Sequence, residues 1–371
     1  MGPKNIKSWE GVVSILEVAL FLAFVPIVTF TYVNNNQALD NTVMYFIIIL
    51  LSSASAFQYF IMDPVDYGQY KIIFNSYPDS FSSIYTQGHE LGFNFLNWLF
   101  KLLNFSFESL IFFIVLILFY GVVQVSKLFN KDKLLIFLSI ITLVVFFNLF
   151  SNLYRQAIAT SIVLIALARN RSIVRQFAMV LLATMFHVSA IIIFPYFIVQ
   201  NRKSPVFLIA IMTLSLLLFF IGIDDVIFYV ISLMSSFTDN ISYSSFARVE
   251  LNALSSDKVQ YAYRSYYFLS IFLIVLFAFN HKKGVEKIKH VSSEIQWRLI
   301  NFLAYGVMIY SATYSIGAFS RLGIYFYIIF PIVLFLVSRL FFNYSAAKII
   351  LACFSCFSLF GLFLVKNIYL T

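Results

Sequence analysis

The sequence predicts an all-α protein: a polytopic transmembrane helical bundle with about 11–13 membrane segments, some of them short or re-entrant. Composition is the first observation behind this. Of 371 residues, 61% are hydrophobic and 11% are charged, against roughly 25% charged in a soluble chain. So few charges cannot cover a water-facing surface. That excludes a soluble enzyme, a disordered chain and a nucleic-acid-binding domain, despite the net charge of +9. The second observation is that apolar runs near the ~20 residues needed to cross a bilayer core recur along the chain. The third is the placement of lysine and arginine, which cluster on one side of a simple up-and-down threading.

In chain order, the runs lie at 12–33, 42–61, 108–126, 134–150, 153–168, 205–223, 262–280, 295–313, 322–342 and 346–365. The first lacks a small-residue cleavage site, so a span is expected there rather than a signal peptide. Residues 174–199 are too long for one ordinary crossing and are interrupted by Phe186-His187, which predicts two short helices meeting near His187. Residues 91–103 are apolar but short, as suits an interfacial or re-entrant helix. Stretches 63–90 and 237–261 are polar and form the two long loops. No repeat or soluble domain interrupts the pattern. Residues 1–371 are therefore expected as a single integral membrane domain, with both loops contributing to a site.

Orientation follows from the basic clusters Lys127/Lys131/Lys133, Arg169/Arg171/Arg175, Arg202/Lys203, Lys282/Lys283/Lys287/Lys289 and Arg339/Lys348. All share one side if 174–199 is a helix pair, and cytoplasmic loops collect positive residues. Only Lys4 and Lys7 dissent. Both long loops then face outward, and most of the basic excess is an orientation signal.

Ionisable residues at membrane depth are costly and mark function by default. Arg155 lies just inside an apolar helix after Ser151-Asn152, His187 at the tip of the helix pair, Arg264 at the start of 262–280 and Arg321 before 322–342. All fall at the outward end. The loops add Asp63, Asp66, Lys71, Asp79, His89, Glu90, Arg248, Glu250 and Asp257. Guanidinium forks match phosphate oxygens two at a time, carboxylates can serve as bases, and the abundant Tyr and Phe can face sugars. An outward cavity for a lipid-linked saccharide diphosphate is the chemistry these types suit. The plainer reading of Lys71, Arg248 and Asp257 is that they pair within their loops, and of Glu90 that it caps the helix after it. His89-Glu90 begins an H-E-x-x-H pattern, but Phe93 stands at its second histidine. Cys353 and Cys356 sit in an apolar run and read as packing residues, so no metal site is expected.

Three stretches carry a resemblance to the EpsG-like branch of the Wzy polymerases of O-antigen and exopolysaccharide repeat units. They are Asp66-Tyr67 with Tyr70, Glu90-Leu91-Gly92-Phe93 and Asn97; the helix start Asn152-Leu153-Tyr154-Arg155-Gln156-Ala157-Ile158-Ala159; and the turn Phe186-His187-Val188-Ser189-Ala190. Ser320-Arg321 with Tyr325 is a weaker fourth. The sequence departs from the family where Ile61-Met62-Asp63-Pro64-Val65-Asp66 replaces the frequent Arg-x-x-x-Gly-x-Asp. The resemblance implies a fold similar to membrane-embedded, lipid-sugar-dependent glycosyltransferases. It implies transfer of a growing glycan from undecaprenyl diphosphate onto a lipid-linked repeat unit, at the outer face of the bacterial cytoplasmic membrane. It further implies no cofactor or metal, and a separate chain-length regulator as partner.

On this reading Arg155 and Arg321, with Arg264 and Arg248, hold the diphosphate and neutralise the leaving charge. His187 hydrogen-bonds the diphosphate or acts as base, and Asp66 or Glu90 deprotonates the acceptor. Tyr67, Tyr70, Asn152, Gln156 and Tyr325 shape the sugar site. A flippase for the same lipid and a glycan O-acyltransferase are the rival expectations. Both need a polar path from the cytoplasmic side, which the sequence does not display.

Overall fold

The computed structural model describes residues 37–57, 67–78, 80–86, 88–169, 172–221, 257–284, 291–313 and 321–369. The expected first span, Asp66, Arg171 and Arg248 lie outside them. Among the described residues all regular structure is helical, as the composition requires. The helices are α1 (Gln37–Phe57), α2 (Tyr67–Ser76), α3 (Ser83–Thr86), α4 (Leu91–Leu102), α5 (Phe107–Ser126), α6 (Lys133–Ile141), α7 (Val144–Ser151), α8 (Tyr154–Ala168) and α9 (Ile173–Thr184). They continue as α10 (Tyr196–Val199), α11 (Pro205–Ile221), α12 (Asp257–Gly284), α13 (Ser293–Thr313), α14 (Ile324–Tyr327), α15 (Phe330–Phe341) and α16 (Tyr344–Tyr369). Among the described residues, stretches Ala38–Phe57, Phe107–Ile141 and Arg264–His281 are long and apolar enough to cross a membrane. A fourth forms if Arg321–Tyr327 and Phe330–Phe341, bent by 44°, count as one broken span. Shorter apolar helices accompany them. The chain divides into two compact units, residues 1–194 with 348–371, and residues 195–347.

In the first unit, α5 packs against α8 and α1, and α8 against α9. Small residues bring α5 and α8 together: a Cβ at Gly121 would meet Ser161 Oγ at 2.6 Å, and the Ser161 hydroxyl donates to the Ile117 carbonyl. Small interfaces of this kind replace the hydrophobic drive that is absent within lipid. Chain direction fixes two ends. Glu108, in the first turn of α5, pairs with Lys71 at 2.7 Å, and Lys127 follows its last turn, about 30 Å away for 20 residues. That is one bilayer core. Arg155 and His187 gather at the α2 end, while Lys127, Asp132 and Lys133 lie at the other.

Two features depart from the hydropathy pattern, and a third follows it. Run 134–150 is two helices, α6 and α7, broken at Thr142-Leu143, where Leu143 turns extended (ψ 140). The carbonyl of Thr142 at this break accepts a hydrogen bond from Ser358 (2.9 Å), as an interrupted helix in lipid demands. Loop 63–90 contains α2, whose Tyr70 and Phe74 are buried; Gly68, Gln69 and Lys71 mask an aromatic stripe at helical spacing. Residues 174–199 form the expected pair, α9 and a 3₁₀ stretch Val188–Ile193, meeting at His187.

The first half of α16, up to Ser358, docks beside α6 through a polar ladder. Lys348 lies 3.9 Å from Asp132, the Ser355 hydroxyl donates to Ser139 Oγ (2.7 Å), and Ser358 donates to the Thr142 carbonyl. Each pair is 216 residues apart. A constant offset means that the two helices run parallel in register. Lys348, Asp132, Lys133 and Asp40 are all under 10% exposed at this foot of the unit.

In the second unit α11 packs on α13, and α12 on α15. Gly306 on α13 permits the close approach of Phe326, whose side chain a Cβ would strike. Asn301 Nδ2 reaches the carbonyls of Val199 (3.3 Å), Gln200 (3.0 Å) and Arg202 (2.8 Å), closing the C-terminal end of α10.

Candidate functional site

Four side chains from four segments of the first unit meet, with the carboxylate of Glu90 joining two of them and Tyr70 bonded to Arg155. Glu90 stands at the N-cap position of α4, with extended backbone (φ −63, ψ 141), yet its side chain makes no capping bond. Its Oε2 instead lies 2.6 Å from Arg155 Nη1, and its Oε1 lies 3.0 Å from His187 Nδ1. Arg155 also donates through Nε to the Tyr70 hydroxyl at 3.3 Å. The three charged or titratable side chains are 15% (Glu90), 28% (Arg155) and 26% (His187) exposed. They are part-buried.

Local sequence explains the convergence. Arg155 occupies the first turn of α8 because the chain breaks at Asn152-Leu153, and no side chain caps that helix. Tyr70 projects from α2 and is wedged edge-on between Phe93 (centroids 5.6 Å) and Tyr154 (5.5 Å). His187 follows α9 in extended conformation (φ −156, ψ 113) and is held by backbone bonds from its N–H to the Ala183 carbonyl and from the Ala190 N–H to its own. The turn of His187 is pinned to α4 by Gly92, whose N–H donates to the Met185 carbonyl at 2.7 Å. A Cβ at Gly92 would meet that oxygen and the Phe186 ring, both at 2.9 Å. Asn94 completes the brace by donating to the carbonyls of Ile84 (3.0 Å) and His89 (2.9 Å).

Electrostatics follow from this packing. Burial alone would raise the Glu90 carboxyl, but the His187 hydrogen bond and the Arg155 charge outweigh it and hold the group at about 2. His89 is pushed below the usual imidazole range, by burial first and then by Arg155, with Glu90 pulling the other way. The site thus carries a fixed carboxylate between a permanent cation and an imidazole. Such a set can bind an anion beside Arg155 and move a proton at the histidine. Among the described residues no three His, Cys, Asp or Glu side chains form a metal-ligand group.

A model of the EpsG family matches residues 41–370, nearly the whole chain. The chain belongs to the EpsG family. Membership points to polysaccharide polymerase-type function. No curated protein and no solved structure matches this EpsG-family chain.

The sequence-derived candidates separate within this EpsG-family fold. Glu90, Arg155, His187 and Tyr70 come together in the first unit. Tyr67 is beside them on α2, its hydroxyl bonded to the Ala56 carbonyl (3.2 Å) and its ring against Phe107. Asn152 is half-buried and Gln156 is 3% exposed, behind Arg155. Lys71 pairs with Glu108, in the first turn of α5 and outside its own loop. Three candidates belong to the second unit: Arg264, half-buried in the second turn of α12; Arg321, exposed at the start of a 3₁₀ turn; and Tyr325, fully buried. Asp66 and Arg248 lie outside the described residues. Gly92 and Asn94 were missed as functional supports. The signal was present in one place, a glycine two residues after the acid at a helix start, where close backbone approach is the usual reason for glycine.

Proposed function

We propose that this EpsG-family protein is a membrane glycosyltransferase that polymerises saccharide repeat units at the outer face of the bacterial cytoplasmic membrane. The donor is a growing glycan on undecaprenyl diphosphate, and the acceptor is the terminal sugar of another lipid-linked repeat unit. The acceptor hydroxyl oxygen attacks the anomeric carbon, its proton passes to a base, and the carbon–oxygen bond to the diphosphate breaks, its electron pair leaving with the phosphate.

The observation that carries this reading is Arg155: a part-buried guanidinium at the uncapped N-terminus of an apolar helix, at the membrane end opposite the basic foot. A helix N-terminus and a guanidinium both favour an anion, and a guanidinium has five N–H donors, enough for phosphate oxygens as well as Glu90 and Tyr70. Charge stabilised there lowers the barrier as the diphosphate departs. The basic residues at the foot support an outward-facing site, because lysine and arginine collect on the cytoplasmic side.

Purified protein in detergent, mixed with lipid-linked repeat units, tests the proposal. Longer glycans are expected from the wild type and not from Arg155→Ala. A flippase would leave the repeat units unextended, and full-length polymer from Arg155→Ala would remove the phosphate-holding role.

A further inference from the structure

We infer that Glu90 is a positioning residue for His187, and that the imidazole it orients takes up the acceptor's proton at Nε2. The proton-transfer step rests on the polymerase reading; the arrangement of the pair does not. An ionised carboxylate has no hydrogen to give. With Glu90 Oε1 3.0 Å from His187 Nδ1 and Oε2 2.6 Å from Arg155, the hydrogen in the imidazole bond must reside on Nδ1. The neutral ring then has its lone pair on Nε2. Among the described residues, none hydrogen-bonds that nitrogen.

Glu90 itself is poorly suited to be the base. Held at about 2, it attracts a proton weakly, whereas efficient general bases lie near the working pH. Its geometry is that of an orienting group, as in other acid–histidine pairs where the carboxylate selects the tautomer and stabilises the imidazolium. Backbone bonds remove the remaining freedom. The Gly92–Met185 bond (2.7 Å) ties the residue after Leu91 to the turn that carries His187. In the step, the acceptor oxygen bonds to the anomeric carbon as its proton moves to Nε2. The diphosphate leaves with the bonding pair beside Arg155, and the imidazolium returns its proton to solvent.

The test is the ring tautomer, read by nitrogen-15 NMR on histidine-labelled full-length protein in detergent at pH 8. The chain has 4 histidines, and His187→Asn identifies the signal by its loss. The expected result is a neutral ring with hydrogen on Nδ1, the less common form of free histidine. In Glu90→Gln the amide can accept from Nδ1 or donate to it, so the Nε2–H form is expected to appear. A wild-type ring with hydrogen on Nε2 overturns the inference, as does a purely Nδ1–H ring in a folded Glu90→Gln protein. The wild-type spectrum decides even if that variant does not fold. In the chain-extension assay, Glu90→Gln is expected to lower kcat on the order of 10²-fold with the donor KM within about 2-fold. A loss confined to donor KM would instead make Glu90 part of the diphosphate site. If the wild type extends nothing, the polymerase reading fails while the tautomer result still stands.

Discussion

Arg155 and Glu90 meet at 2.6 Å across 65 residues of sequence, and the same carboxylate reaches His187 with its other oxygen. One carboxylate therefore fixes both the Arg155 guanidinium and the His187 imidazole, and the Arg155–Glu90 pair can be separated by double substitution. Arg155→Ala leaves Glu90 part-buried with one partner fewer, and a loss of about 1–3 kcal/mol is expected. Arg155→Ala with Glu90→Gln together should recover part of it, because no unpaired charge remains. Thermal unfolding of the two single variants and the double variant in one detergent measures the coupling, and strictly additive losses would show that the contact carries none.

The pH dependence of that stability has a definite sign. The Glu90 carboxyl is lowered from 4.5 to about 2 in the folded protein, so the unfolded chain takes up the proton first as pH falls. Its contribution is fully present above 4.5 and is lost progressively between 4.5 and about 2. The Tm advantage of wild type over Glu90→Gln should narrow when pH is taken from 6 to 3. A gap that stayed constant or widened would contradict the assignment.

Gly92→Ala tests the backbone junction between α4 and the His187 turn. The added methyl would meet the Met185 carbonyl oxygen and the Phe186 ring, both at 2.9 Å, and a backbone atom cannot swing aside as a flexible side chain does. Chain extension is expected to fall at least 10-fold while the protein remains folded, since a displacement of about 1 Å in a reacting group can cost 10²-fold. Unchanged activity would show that the junction tolerates slack. Gly68→Ala serves as the comparison, because nothing lies within 4 Å of its added Cβ.

The polar ladder between α6 and α16 predicts a register-dependent stability. Ser355→Ala removes the donor to Ser139 and its 2.7 Å bond, and a loss of about 0.6 kcal/mol is expected, up to roughly 1.7. Ser358→Ala, which strips the bond to the broken-helix carbonyl of Thr142, should cost more, because a carbonyl left unpaired in lipid is expensive. The reverse order of the two losses would count against the Thr142 break as the point of need.

Much of this was legible in the residues. Composition and run length identify a helical membrane protein, and the basic clusters separate its two ends. Arg155 and His187 stand out because a titratable side chain in an apolar run is costly wherever it lies. The α6–α7 break was not legible, since a span of unbroken apolar residues reads the same whether straight or bent. Nor was α2, whose polar residues conceal its buried tyrosine and phenylalanine from any hydropathy average.

The sequence by itself determined the solvent this protein lives in and which residues are out of place there, because transfer energy is a property of each side chain and its near neighbours. Only the tertiary structure decided that Glu90 bridges Arg155 and His187 rather than capping α4. Its partners are 65 and 97 residues away, and which of many carboxylates closes on which cation depends on helices packed to within an ångström. The Gly92 junction to Met185 and the parallel register of α6 with α16 are decided at the same level.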